Sequence, residues 1–285
     1  MVLADTLDLT ARLAEAAPVE LPRAEPPGDQ PPRDQSPPDQ SPRDPVAEAR
    51  AIAARLDAAF DGAAAEAILA EAILNAFPGR IALVSSFGAD AGVLLSLVAG
   101  VAPATPVIFL DTGKHFPETL RHRDRLTERL GLTDVRSIKP DPARLAAADP
   151  DEGLWLRDKN LCCYVRKVEP LARALNGFDA WITGRKRYQG GERTRLPTFE
   201  ADGARVKVNP LASWTKADLK AYAERHALPA HPLVAQGFRS IGCMPCTDRV
   251  AEGEDERAGR WRGSEKTECG IHLGIVGREV DGSGI

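Results

Sequence analysis

From Arg80 onward the chain repeats one unit: a short apolar run, a loop, then a segment with helical spacing. Ile81-Ala82-Leu83-Val84 predicts a buried strand and Asp90 to Val98 a helix, and Pro106 to Leu110 with Pro117 to Leu130 repeats the pair. Val135-Arg136-Ser137-Ile138 predicts a third strand, Leu161 to Leu175 a helix, and Ala180-Trp181-Ile182-Thr183 a fourth strand. Strands joined through helices run parallel, because the crossover returns the chain to the same end of the sheet. The expected fold class is therefore α/β, an open, mainly parallel sheet with helices on both faces. Ligands of such sheets bind at the carboxyl ends of the strands.

Three loops leave those ends. Ser85-Ser86-Phe87-Gly88-Ala89-Asp90 offers hydroxyls, a glycine and helix-start amides, a set suited to phosphate, although a capped helix turn uses the same residues. Asp111-Thr112-Gly113 emerges from the second strand and also reads as an ordinary Asp-x-Gly turn. Gly184 to Arg193 is a basic loop; charge runs are usually solvated, but one leaving a strand's carboxyl end is placed to meet an anion.

The flanking segments differ in kind. Residues 18–45 repeat a Pro-Pro-x-Asp-Gln theme with few large apolar side chains, so the head over 1–45 is expected to stay disordered. Structure is expected from Val46, with two helices between Ala47 and Ala76 broken at Asp61-Gly62. The α/β domain is assigned to 46–240 and a C-terminal segment to 241–285, its end frayed from Glu279. Before that segment, a short strand at Arg205 to Val208 precedes a helix from Thr215 to His226, opened by a capping box with Asp218. A net charge of −4 over 285 residues gives no overall basic field for nucleic acid. The apolar stretch Ile81 to Ala102 is interrupted by Ser85, Ser86 and Asp90, which argues against a membrane span. Five cysteines, an odd number, with no signal-peptide pattern point to a reducing cytoplasm, and a homo-oligomer is compatible with the sequence.

Those cysteines fall into three settings. Cys162-Cys163 are adjacent, Cys243-Met244-Pro245-Cys246 is a Cys-x-x-Cys turn, and Cys269 stands alone. Four thiolates meet the count for zinc or for a four-iron cluster; adjacent ligands are awkward for zinc, so the spacing favours iron-sulfur. A redox-active Cys-x-x-Cys is a rival reading that leaves Cys162 and Cys163 without a role. Cys269 follows Arg257, Arg260, Arg262 and Lys266, and nearby cations favour the thiolate that a nucleophile needs. Such a thiolate suits an anionic electrophile, for example sulfur in an oxyanion anhydride. His272 lies close enough in sequence to assist, or is simply structural.

With these residues in view, the chain resembles the sulfonucleotide reductases, particularly the cluster-bearing adenylyl-sulfate (APS) reductases. The resemblance spans roughly Ile81 to His272. It rests on Ser85-Ser86-Phe87-Gly88-Ala89-Asp90, Leu110-Asp111-Thr112-Gly113, Cys162-Cys163-x-x-Arg166-Lys167-x-Glu169-Pro170-Leu171, the Gly184 loop, Gly242-Cys243-x-Pro245-Cys246 and Lys266-x-Glu268-Cys269-Gly270-x-His272. It implies an adenine nucleotide alpha hydrolase-like fold and thioredoxin-dependent reduction of APS to sulfite and AMP, within sulfate assimilation and cysteine biosynthesis. Cys269 would attack the sulfur and carry an S-sulfonate, which a thioredoxin-type dithiol would release as sulfite. By the same resemblance, Cys162, Cys163, Cys243 and Cys246 would hold one 4Fe-4S cluster, with Lys167 between cluster and substrate. Ser85, Ser86, Gly88, Asp111 and Gly184 would line the nucleotide pocket, and Arg193, Arg257 and Arg260 would hold phosphate and sulfate oxygens.

Alternatives carry their own signatures. The 3′-phosphorylated nucleotide PAPS, alone or beside APS, would use the same chemistry, although family members specialised for it commonly lack the four cluster cysteines. An ATP pyrophosphatase of related fold needs a Ser-Gly-Gly-x-Asp-Ser loop, from which Phe87 and Ala89 depart. A zinc-stapled binding protein would tolerate loss of the Cys269 thiol.

Overall fold

The computed structural model describes residues 44–272. The expected disordered head, up to Arg43, and the expected frayed end from Glu279 lie outside the described residues. Helix α1 (Pro45–Ala59) opens where the sequence turns apolar: Asp44 caps it by accepting from the Val46 N–H, and Pro45 sits in the first turn, where its missing N–H costs nothing. Gly62, at φ 72°, breaks the chain before α2 (Ala65–Ala70), which continues as a π-helical turn to Ala76.

Six strands follow: β1 (Ile81–Val84), β2 (Val107–Leu110), β3 (Val135–Ile138), β4 (Ala180–Ile182), β5 (Phe199–Asp202) and β6 (Arg205–Val208). Their order is β3-β2-β1-β4-β6-β5, every neighbouring pair parallel except β5 with β6. Side chains alternate between the faces of the sheet and so divide the core in two. Ile81, Leu83, Val107, Phe109 and Ile182 pack beneath α1, α2, α3 (Ala91–Val101), α4 (Pro117–Leu130) and α9 (Lys216–Arg225). On the other face, Ala82, Ile108, Leu110 and Trp181 meet Leu171 and Leu175, on and just after α8 (Glu169–Ala174). Burial on both faces is why β1, β2 and β4 read as unbroken apolar runs. Among the described residues no helix is long and apolar enough to cross a membrane.

The structure differs from the sequence expectation at three places. Strand β5 was not expected; it pairs antiparallel to β6 through a two-residue turn opened by Gly203 at φ 62°. Two short helices, α5 (Pro142–Ala148) and α6 (Leu154–Arg157), fill what reads as loop. The helix expected from Leu161 begins two residues earlier as α7 (Lys159–Cys163), capped by Asp158, and passes through a π turn at Tyr164–Val168. That turn has a local cause: Pro170 has no N–H for the Arg166 carbonyl and its ring would clash with it, and the Glu169 N–H bonds Tyr164 O instead. The segment from Ile241 to His272 lies in the same compact body as the sheet.

Candidate active site

Strands β2 and β3 extend the sheet on one side of β1, and β4 extends it on the other. The carboxyl ends of β1 and β4 therefore diverge into loops on opposite sides of a crevice. A cavity of ≈ 230 Å³ opens there, bordered by Ser85, Ser86 and Gly88 after β1 and by Thr183 and Gly184 after β4. Gly88 has to be small, since a Cβ on it would stand 3.0 Å from the Ile241 carbonyl oxygen. Just before it, Phe87 is held at φ 49°, fully buried edge-on against Phe109, with its N–H on Ser85 Oγ at 3.2 Å. A non-glycine residue in that conformation is strained and is kept there by packing.

The wall of this cavity is cationic. Lys167, Arg185, Lys186, Arg193, Arg239, Arg257 and Arg260 border it against Asp90, Glu256 and Glu268, a surplus that favours a polyanion. Lys186, 4% exposed, is held by Asp90 at 3.0 Å, and Arg185 is engaged by Glu200 and Asn209. Burial draws the Arg185 and Arg257 guanidinium pKa values down to about 10, which leaves both charged at neutral pH. Trp261, 2% exposed, organises the far side: Arg260 lies 4.5 Å from its ring centroid, Arg257 and Lys266 each 5.7 Å. Arg260 can reach its place only because residue 242 is glycine; a Cβ there would sit 2.3 Å from Arg260 Nη2.

Cys269 borders the same cavity and is partly exposed. Its thiol pKa is pushed well below the ordinary value by the neighbouring Cys163 thiol, and by Lys167 and Arg260, against the opposing effect of burial. Burial also works against the charge of Lys167, yet the sulfurs of Cys243, Cys269 and Cys163, when ionised, outweigh it and raise its pKa. The geometry thus sets a permanent ammonium beside a thiol that ionises readily.

Lys167 and Trp261 also border a second, smaller cavity, where Cys162, Cys163, Cys243 and Cys246 converge from two segments. Thr112 ties these together: its hydroxyl is 3.3 Å from Cys243 Sγ, and its carbonyl accepts from Arg166 Nη1 at 2.8 Å. Arg166 in turn forms a buried ion pair with Asp149 at 2.6 Å, and Asp149 accepts from the Leu154 N–H. The Cys243 turn is pinned from the other side by an isolated bridge to His115 and by the Met244 N–H on Lys114 O at 2.7 Å. Burial pushes the Cys162 and Cys246 thiols up. Four soft donors around one small cavity suit an iron-sulfur cluster or zinc, although among the described residues no three metal-binding side chains are already drawn into ligand positions.

The phosphoadenosine phosphosulfate reductase domain model matches residues 80–249, more than half of the chain. This chain belongs to that reductase family. An adenosine 5'-phosphosulfate reductase of Mesorhizobium japonicum is 57% identical over 197 residues, spanning 69% of this chain and 78% of its own length. Another, of Deinococcus radiodurans, is 45% identical over 201 residues, spanning 68% of this chain and 76% of its own. The crystal structure of a Candida auris phosphoadenylyl-sulfate (PAPS) reductase, a phosphate complex, aligns at 27% identity and TM-score 0.58 over 70% of this chain and 96% of that one.

Of the residues singled out for reductase function, Ser85, Ser86, Gly88, Lys167, Gly184, Arg193, Arg257, Arg260 and Cys269 all border the large cavity. Asp111 does not border it; one carboxylate oxygen accepts from the Gly113 N–H at 3.2 Å, so the turn reading of this loop describes the residue better. Arg193 borders the cavity but its guanidinium is engaged by Glu268, at 2.6 and 2.9 Å, and by Gln189. His272, left open between two roles, stacks on Trp181 with rings 5.9 Å apart and nearly parallel. Burial, with Arg185 and Arg193 nearby, holds its pKa well below the usual value. Sequence reasoning missed Arg185, Lys186, Trp261 and Glu268 as individuals. Only the basic loop signalled the first two, and no local signal marks Trp261 as a platform for three cations.

Proposed function

We propose that this reductase family member reduces APS to sulfite and AMP in sulfate assimilation, taking its electrons from a thioredoxin-type dithiol. The observation that carries the reading is Cys269 at the border of a cation-walled cavity at the carboxyl ends of β1 and β4, with Lys167, Arg257 and Arg260 on the same wall. Its thiolate attacks the sulfur of APS; the bond from sulfur to the bridging phosphate oxygen breaks, and the electron pair leaves with AMP. Lys167, Arg257 and Arg260 face the charge that moves onto the departing phosphate, and preorganised cations lower the barrier to such a step. The product is a Cys269 S-sulfonate. A donor thiolate then attacks Cys269 Sγ, expelling sulfite with the sulfur-sulfur electron pair. The donor's second thiol displaces Cys269 from the mixed disulfide, which restores the thiolate and leaves the donor oxidised by two electrons.

Cys162, Cys163, Cys243 and Cys246 are the residues that would hold a 4Fe-4S cluster, a donor count that iron-sulfur clusters share. When bound, it would supply a covalent tie between the α7 end and the Cys243 turn and a charged neighbour for Lys167. Ser85, Ser86, Gly88 and Gly184 would hold the nucleotide. The test is product counting. Without dithiol, APS should release one equivalent of AMP per chain and no sulfite, and dithiol should then release sulfite and permit turnover. Repeated AMP release without dithiol, or none at all, would sink the proposal. A parallel PAPS arm reads substrate range.

A further inference from the structure

We propose that Glu268 is a positioning residue that fixes the nucleophile, and that Arg193 acts as its clamp. The inference rests on the role given to Cys269 above. Glu268 is 9% exposed and Arg193 7%. Glu268 Oε1 accepts from the Cys269 N–H at 2.7 Å and from Arg193 Nη2 at 2.9 Å, while Oε2 accepts from Arg193 Nε at 2.6 Å. Arg193 Nη1 also meets Gln189 Oε1, which fixes the guanidinium from a second side. Arg257 adds Nη2 to the Thr267 carbonyl at 3.0 Å and stands 3.4 Å from Glu268 Oε1.

One carboxylate therefore joins the backbone at Cys269 to the turn at Gly190–Arg193, 75 residues away in sequence. A buried ion pair is a poor source of net stability, because desolvation offsets the attraction. What this one does provide is geometry: it sets the strand of chain that carries the thiol against the opposite wall of the cavity. A nucleophile displaced by about 1 Å can lose about 10²-fold in rate.

Three variants test this: Glu268→Gln, which keeps size but not charge; Glu268→Asp, which keeps charge but shortens the reach; and Glu268→Gln combined with Arg193→Gln. For Glu268→Gln, sulfonation of Cys269 by APS should slow about 10- to 100-fold at saturating nucleotide with KM within about twofold of wild type. Glu268→Asp should recover part of the rate, and the double variant should be no slower than the slower single one. Alkylation of Cys269 by N-ethylmaleimide, without nucleotide, should quicken several-fold in Glu268→Gln as the segment loosens. A rise in KM at unchanged kcat, or additive losses in the double variant, would overturn the positioning role. If the wild-type protein is not sulfonated by APS at all, it is the proposed function that fails. The alkylation comparison still decides the role of Glu268, with equal rates in wild type, Glu268→Gln and Glu268→Asp counting against it.

Discussion

Cys162 and Cys269 are the same chemical group a short distance apart in one fold, and their surroundings push them in opposite directions. Cys162 is buried and its thiol is pushed up, chiefly by burial, with Cys243 and Cys246 adding to the effect against Arg166. Cys269 stands at the cavity border, where the Cys163 thiol, Lys167 and Arg260 favour its ionised form. Thiols crowded together in a dry site become thiolates when a metal replaces their protons. A thiol beside fixed cations needs no metal to become a nucleophile. Lys167, bordering both cavities, marks the boundary between the two regimes.

The contrast can be broken most severely at the nucleophile. Cys269→Ser should abolish sulfonation by APS while leaving iron content at the wild-type level, as read by single-turnover mass spectrometry and iron analysis. Cys162→Ala is the converse change. On the proposed cluster assignment it should strip the iron and bleach the protein, and visible absorbance with iron analysis checks it; a coloured, iron-replete variant would remove Cys162 from the ligand set. Lys167→Ala sharpens the boundary. Iron content should persist while the sulfonation rate drops about 10²-fold, the usual scale for removing one preorganised electrostatic group, and an unchanged rate would assign Lys167 to structure alone.

The smallest effect lies outside both sites. His122 and His231 face each other with ring centroids 4.9 Å apart, 2% and 1% exposed, and burial pulls both pKa values down to about 4. His231 accepts from the Leu233 N–H through Nδ1 and donates from Nε2 to Thr119, so the neutral ring is the one the fold uses. Between pH 4 and the unfolded value of about 6.5 the unfolded chain binds more protons than the native one. Stability should therefore be full above about pH 6.5 and decline as pH falls toward 4. Urea titrations across that range read it, and replacing His122 by an apolar residue of similar size should flatten the slope.

Much of the fold was legible because buried parallel strands are written as apolar runs, and β1, β2 and β4 fall within one residue of where the pattern puts them. Strand β5 was not legible as a strand: Phe199 is its only large apolar residue, and an edge strand paired on one side needs no continuous run. The π turn before Pro170 was equally hidden, since it is the response of a helix to a proline and not a pattern of its own. At the site, the cysteines and the basic loop announced themselves by type and spacing. What could not be read were pairings across the chain, such as Glu268 with Arg193 or Thr112 with both cysteine segments, which exist only once the sheet has formed. Asp111 looked like a pocket residue because its loop leaves a strand's carboxyl end, yet its carboxylate accepts from its own turn.

The most direct test is the intact mass of anaerobically purified, iron-loaded protein after incubation with APS in the absence of any thiol, followed by peptide mapping. The account predicts a single sulfonate adduct, on Cys269. No adduct, or an adduct on any of the other four cysteines, would contradict it.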